Sequence, residues 1–266
     1  MGSSATTTYR LTLEYDGTGF AGWQAQPGRR TVQGEVERAC RETCGAAVPV
    51  GAAGRTDAGV HAAGQVAGVA LRWGRGPDRL REALNAHLPE DIAVTGCAAA
   101  PEGFDARRDA VSRAYRYAIL LRGARSPLLR RCAWWVRGPL DAGAMRDAAR
   151  LFEGRRDFSA FTTAQGRARG AVRDVARCRL TARGQLLLLD VEGRSFLHHM
   201  VRLIASAVVA AGQGRLSATR IRRSLARLDS DTPVAVAPPQ GLALLAVRYR
   251  GERRSRLPGW PPGTVA

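Results

Sequence analysis

The chain has 266 residues, with 41 arginines, no lysine and 23 acidic residues, for a net charge of +18 and a pI near 11.3. That size admits one large domain or two modest ones, and a hydrophobic share of 45% is enough for ordinary cores. The absence of any run of about 18 apolar residues excludes a membrane-spanning helix of the usual kind.

Positive charge in this excess attracts polyanions over long range, and phosphate backbones are the commonest such partner; a basic surface with no nucleic-acid role is the plainer alternative. The complete replacement of lysine by arginine reads as a GC-rich coding bias rather than a mechanism. The opening segment MGSSATTTYRLTLEYDG lacks the charged-then-apolar organisation of a secretory signal, so a cytoplasmic location is expected. Five cysteines (Cys40, Cys44, Cys97, Cys132, Cys178) are scattered and odd in number, as reduced thiols are. Cys40 and Cys44 stand one helical turn apart, and no His/Cys pair follows at zinc spacing, so they read as helix-face residues. His198-His199 is a doublet whose adjacent side chains are expected to point in different directions, a poor chelate, and no metal is expected.

In chain order, TYRLTLEYDG (8–17) alternates Leu11, Leu13 and Tyr15 on one face and stops at Asp16-Gly17, a strand and a turn. TVQGEVERACRETCG (31–45) spaces Val32, Val36, Ala39 and Cys40 as a helix, with Thr31 to cap it and Gly45 to end it. A short run at 47–53 follows, then a glycine-rich loop. GQVAGVALRW (64–73) predicts a strand, DRLREALNAHLP (78–89) a helix with Asp78 as N-cap, and DIAVTGCAAA (91–100) a strand. SRAYRYAILLR (112–122) predicts a strand with Arg113, Tyr115, Tyr117, Ile119 and Leu121 on one side, and CAWWVRG (132–138) another. DAGAMRDAARLFEG (141–154) is a helix capped by Asp141 and ended by Gly154, and 172–193 a hairpin turning at Arg183-Gly184. SFLHHMVRLIASAVVAAGQG (195–214) is the most apolar predicted helix, and SATRIRRSLARLD (217–229) a shorter one with Ile221, Leu225 and Leu228 in register. GLALLAVRYRG (241–251) closes as a strand before a Pro/Gly-rich tail. Strands joined as hairpins and mixed with helices favour an α+β architecture over a doubly wound parallel sheet. The expected division is a domain over 1–104, a second over 105–252, and a tail over 253–266. No repeat is visible between the halves.

The glycine-rich loop is AAGRTDAGVHAAGQ (52–65). Gly54, Gly59 and Gly64 argue for a shaped loop that bends sharply or lets another molecule come close, presenting Asp57 beside Arg55. Within it, GRTDAGVHA (54–62) resembles the signature of the tRNA pseudouridine synthase A family. YDGTGFAGWQAQ (15–26), LNAHLPEDIAV (84–94), SRAYRYAI (112–119), FLHHMVR (196–202) and PPQGLALLAVRY (238–249) resemble further family blocks in the same order, so the resemblance covers most of residues 9–249.

The resemblance implies conversion of uridine to pseudouridine at positions 38, 39 and 40 of the tRNA anticodon stem-loop, with no cofactor and no metal. It implies two ferredoxin-like α/β domains whose sheets join into one large, mainly antiparallel sheet, a basic cleft between them, and a homodimer. Residue by residue, it makes Asp57 the catalytic carboxylate, Arg55 its neighbouring arginine, Tyr115 the active-site tyrosine and Arg202 the arginine that follows HHMV. Arg107, Arg169, Trp23 and Gln24 are candidate substrate contacts, the last two at the cleft entrance. The chain departs from the pattern at Arg108-Asp109, where relatives tend to carry Phe-Ser, and at Gly170, where many carry Thr.

The residue types suit that chemistry. A single carboxylate is enough to attack a sugar or base carbon, or to help create and capture a sugar intermediate, because no water is consumed; glycoside hydrolysis usually needs two carboxyl groups. Arg55 either holds Asp57 as the anion or helps displace the base. Tyr115 is suited to stack on a flipped base, with removal of the C5 proton as a second role, while Tyr117 reads as core and His61 as structural. Arg202 interrupts an apolar helix, where a charge is costly unless paired; a partner for Asp57 is the sharper reading and a structural salt bridge the plainer one. Two other classes stay open: a basic RNA-binding module without chemistry, and an RNA N-glycosidase that stops after bond cleavage.

Overall fold

A computed structural model describes residues 6–168, 170–228, 231, 234–252 and 257–263. In chain order its elements are β1 (Thr6–Tyr15), α1 (Val32–Cys44), β2 (Gly51–Ala52), β3 (His61–Arg72), α2 (Gly76–His87), β4 (Ile92–Ala99), β5 (Ala110–Leu121) and β6 (Trp134–Val136). They continue with α3 (Ala142–Leu151), β7 (Gly154–Asp157), α4 (Ala164–Arg167), β8 (Val172–Arg183), β9 (Leu186–Gly193), α5 (Met200–Gly212), α6 (Ala218–Leu225) and β10 (Leu242–Tyr249). The chain forms two compact units, Met1–Val111 with Leu244–Pro258 and Ser112–Ala243 with Gly259–Ala266. The closing strand therefore belongs mostly to the first unit, whereas its place in sequence put it with the second half.

The first unit is built on strands in the order β4-β1-β3-β10, with β2 beside β3. β1 pairs antiparallel with both β3 and β4. Leu11 and Leu13 on β1 are fully buried, as their alternation requires. α1 starts where Thr31 accepts the Gly34 N–H at 3.3 Å and ends at Gly45, whose φ of 72° is the left-handed cap that favours glycine. Its buried face is Val32, Val36, Ala39 and Cys40. Cys40 is thus a core thiol, pushed up to about 12 by burial, and none of the five cysteines is in a disulfide.

Two boundaries differ from expectation. α2 begins at Gly76, with Arg75 rather than Asp78 at the N-cap and Pro77 in its first turn; proline there gives up an N–H that has no helical partner anyway, so the helix starts earlier and Asp78 lies within the first turn. β3 begins at His61, inside the segment expected to be loop. Gly64 is a strand glycine, because a Cβ there would lie 2.3 Å from the Leu245 carbonyl oxygen on β10. It lets two backbones approach; it does not bend the chain.

The second unit orders its strands β5-β9-β8-β7, with the short β6 beside β5. All of these pairings are antiparallel except β5 with β6, which is parallel. The β8–β9 hairpin pairs Arg183 with Leu186 across Gly184-Gln185, and Gly184 has a φ of 57°. α3 is capped by Asp141, which accepts from the N–H groups of Gly143 and Ala144. α5 is shorter at its start than expected: Ser195–Leu197 and the two histidines precede it, and His199, at φ 60°, is the N-cap. α6, capped by Ser217, ends at Leu225, and Leu228 falls beyond it with 65% of its surface exposed. The chain turns at Arg227, φ 59°, which takes Leu228 off the apolar face. Of the tail, 257–263 is described; Trp260 is buried and donates to the Gly241 carbonyl at 3.4 Å. Among the described residues no helix is long and apolar enough to cross a membrane.

Candidate active site

The loop that carries Asp57 is fastened at nearly every residue. The Ala53 N–H donates to the Val66 carbonyl at 2.8 Å. The Gly54 carbonyl accepts from the Gln65 side-chain amide at 2.6 Å. Thr56 is buried; its hydroxyl lies 2.9 Å from the Tyr15 hydroxyl and its carbonyl accepts the Trp23 N–H at 3.0 Å. The Asp57 carbonyl accepts from Val60 N–H at 3.1 Å, and Gly59 N–H donates to the Phe20 carbonyl at 3.3 Å. Thr56 and Val60 turn inward while Arg55 is exposed and Asp57 half-buried, so the backbone is pinned and the carboxylate is set at its surface.

The turn at 17–23 explains why two sequence blocks occur together. A Cβ on Gly17 would lie 2.0 Å from the Val60 carbonyl oxygen, and one on Gly22, at φ 96°, 2.8 Å from that of Thr56. Only glycine lets this turn pack against the loop. His61 is 2% exposed; its Nδ1 accepts the Gly17 N–H at 3.1 Å and lies 3.2 Å from Asp16 Oδ1. Its role in the loop is structural, as expected.

Three groups hold the loop in a way the sequence did not show: Tyr15, read only as a strand-face residue, and Thr56 and Gln65, which were not singled out. Burial pushes the Tyr15 phenol up to about 12, offset in part by its bonds to Thr56 and Gln65. The signal that could have found them is Gln65, a polar residue in an apolar strand with 0% exposure, since a buried amide needs partners. Trp23 is 2% exposed, its ring 6.3 Å from that of Tyr15; it supports the loop from within the core. Gln24 beside it is half-buried. Arg55 has no ion pair among the described residues. Arg107 is exposed on a turn that Asp105 organises, accepting from the N–H groups of Arg107 and Arg108. These bonds, that from Arg108 foremost, hold the Asp105 carboxyl below its usual range. Asp109 returns the bond by accepting the Asp105 N–H at 2.8 Å, so the Arg108-Asp109 departure builds a turn.

In the second unit, Tyr115 on β5 is 8% exposed and meets Phe196 edge-on, ring centroids 5.2 Å apart. Next to it, Arg116 forms a bidentate pair with Asp190 on β9, at 2.6 and 3.0 Å. Because neighbours on a strand face opposite ways, this pair holds Tyr115 to the other face. Tyr117 is a core residue, as expected; its hydroxyl donates to the Pro238 carbonyl at 2.7 Å, and a Cβ on Gly241 would lie 2.7 Å from its ring. Arg202 on α5 is half-buried, and its Nε donates to the Ala237 carbonyl at 2.8 Å. Tyr117 and Arg202 together clasp the segment 237–241.

The two histidines before α5 do not diverge. Their rings stack with centroids 3.8 Å apart, because His199 takes a left-handed backbone and folds its ring back. Thr162 donates to the His198 carbonyl at 3.0 Å, and the Thr163 hydroxyl lies 3.0 Å from His198 Nδ1. Arg169 lies outside the described residues. Gly170 has a φ of 80°, a conformation that threonine rarely adopts, which accounts for glycine there.

The fold and the loop together define an α+β protein that offers one carboxylate on a rigid, glycine-bounded loop, in a strongly basic chain. The profile of a family described as tRNA pseudouridine synthase matches residues 12–107 and 148–250. Proteins named tRNA pseudouridine synthase A are similar to it over most of their length. That of Rhodospirillum rubrum is 43% identical over 92% of this chain and 88% of its own. That of Acidiphilium cryptum is 44% identical over 91% and 96%, and that of Geobacter sp. strain M21 42% identical over 90% and 98%. The chain belongs to the tRNA pseudouridine synthase family.

Proposed function

We propose that this chain isomerises uridine to pseudouridine at positions 38, 39 and 40 of the tRNA anticodon stem-loop, with Asp57 as the reacting carboxylate. The C1′–N1 bond of the nucleotide breaks and a C1′–C5 bond forms; C5 loses a proton and N1 gains one, so nothing is consumed. The observation that carries the reading is the setting of Asp57. Its loop is bonded to β1, β3 and the 17–23 turn, and the carboxylate is left at the surface. Such fixing keeps the cost of orienting the nucleophile out of the reaction step.

Arg55, exposed and with no ion pair among the described residues, is assigned to the RNA rather than to Asp57, helping to displace the base. Tyr115 is assigned to stack on the flipped uracil, an arrangement that recovers part of the few kcal/mol that unstacking costs. Arg202 is assigned as a cationic partner of the reacting carboxylate. The resemblance adds two ferredoxin-like domains with a joined sheet and a basic cleft, a homodimer, a cytoplasmic setting, and catalysis without cofactor or metal.

One assay separates the classes. A tRNA transcript incubated with enzyme and no additive should yield pseudouridine with no free uracil. Free uracil supports an N-glycosidase, and binding without either product a non-catalytic module. Asp57→Asn should abolish product while tRNA affinity stays within about threefold, because it removes charge without bulk; a variant with wild-type turnover would overturn the assignment.

A further inference from the structure

The second unit holds a basic cavity that none of the assigned groups lines. It measures about 610 Å³ and is lined by Arg150, Arg155, Arg156, Arg222 and Asp157, with Val172 and Leu225 among its apolar members. The four arginines are exposed and have no carboxylate partner among the described residues. Asp157 does not serve them. Its carboxylate is taken by Arg227 at 2.6 Å and by the Ser159 N–H at 2.8 Å. Arg150 and Arg222 sit in the last turns of α3 and α6, where the helix dipole alone would account for them. Arg155 stands opposite Asp174 on β8, an opposite-charge register, although the two form no ion pair among the described residues; Arg156 has no such account. Both lie on β7, at the end of the strand order, and Arg156 stands directly opposite Arg173 on β8, a like-charge pairing that destabilises a sheet unless an anion intervenes.

We propose that this cavity is a phosphodiester site that holds the sugar-phosphate backbone of the tRNA, in addition to the contacts made around the reacting nucleotide. Guanidinium forks match phosphate oxygens in pairs, and the apolar Val172, 44% exposed, suits the face of a ribose. The chain's charge of +18 favours a polyanion over a single ion. The inference rests on the tRNA-modifying reading, and its failure is separable from the failure of that reading.

The test is the full chain carrying R150Q, R155Q, R156Q and R222Q together, measured for tRNA binding across a salt series and for pseudouridine formation under saturating enzyme. Each phosphate contact contributes roughly 0.7–0.9 to the slope of log K against log salt. The slope should therefore fall by about 2–3 and the affinity at 0.1 M salt by about tenfold or more, with the saturating rate unchanged. Lysine at the same four positions should restore most of the slope. Equal thermal midpoints confirm folding; if the fourfold variant melts early, R155Q and R222Q are tested singly for additive losses of slope. Unchanged affinity and slope overturn the proposal. So does a lowered saturating rate at unchanged slope. Competition by inorganic phosphate or polyglutamate that is lost in the variant, with tRNA binding intact, assigns the cavity to small anions or an acidic protein and also overturns it. Wild-type enzyme that binds tRNA through this cavity yet forms no pseudouridine would sink the functional reading alone.

Discussion

Gln65 is fully buried, yet its amide reaches both the Gly54 carbonyl and the Tyr15 hydroxyl. It fastens the Asp57 loop from within the core, and for the proposed reaction it would be a positioning residue. Gln65→Leu keeps the volume and removes both bonds. An unmade buried hydrogen bond costs about 1–3 kcal/mol, so the saturating rate should fall by about tenfold or more while tRNA affinity stays within about twofold. Equal losses in both would refute a positioning role.

Tyr15 and Cys40 each keep their protons longer in the folded chain than in the unfolded one: the phenol moves from 10.0 to about 12 and the thiol from 9.0 to about 12. The folded state then binds more protons than the unfolded state above pH 9, so stability declines as pH rises. The stability these groups confer is complete below about pH 9 and lost progressively towards about 12. Thermal midpoints should drop between pH 8.5 and 10.5 in a buffer series; a flat profile would contradict the burial of both groups.

Among the elements, β5 depends on an ion pair that its sequence concealed. Arg116 and Asp190 face each other in register, with side chains 9% and 12% exposed. Removing one partner leaves the other charge buried. Asp190→Ala should cost about 3–5 kcal/mol, and an apolar pair at both positions should recover most of that loss, as chemical denaturation would show. The alternation of Tyr115, Tyr117 and Ile119 fixed one face of this strand but not the other. Both faces are buried from Ser112 to Leu120, so polarity ceased to mark inside from outside. The caps of α1 and α3 were legible: Thr31 and Asp141 bond as their side-chain chemistry demands. The starts of α2 and α5 were not, since Pro77 and the left-handed His199 set them through backbone geometry that hydrophobic spacing does not record.

For the whole molecule, a charge of +18 makes RNA affinity an electrolyte problem. Binding of tRNA by the wild-type chain should weaken linearly in log–log terms, losing about a hundredfold or more between 50 and 200 mM salt if six or more phosphates are neutralised. Salt-insensitive binding would place recognition in base contacts instead.

The sequence by itself determined the α+β class, most of the strands and helices, the strongly basic charge and the loop that carries Asp57, because composition, periodicity, capping chemistry and glycine placement are local properties. Only the tertiary structure decided why those glycines are needed, which buried partners fasten the loop, and that the closing strand β10 belongs mostly to the first unit. Those depend on backbones and side chains far apart in sequence coming within a few ångströms, and no local pattern encodes such an approach.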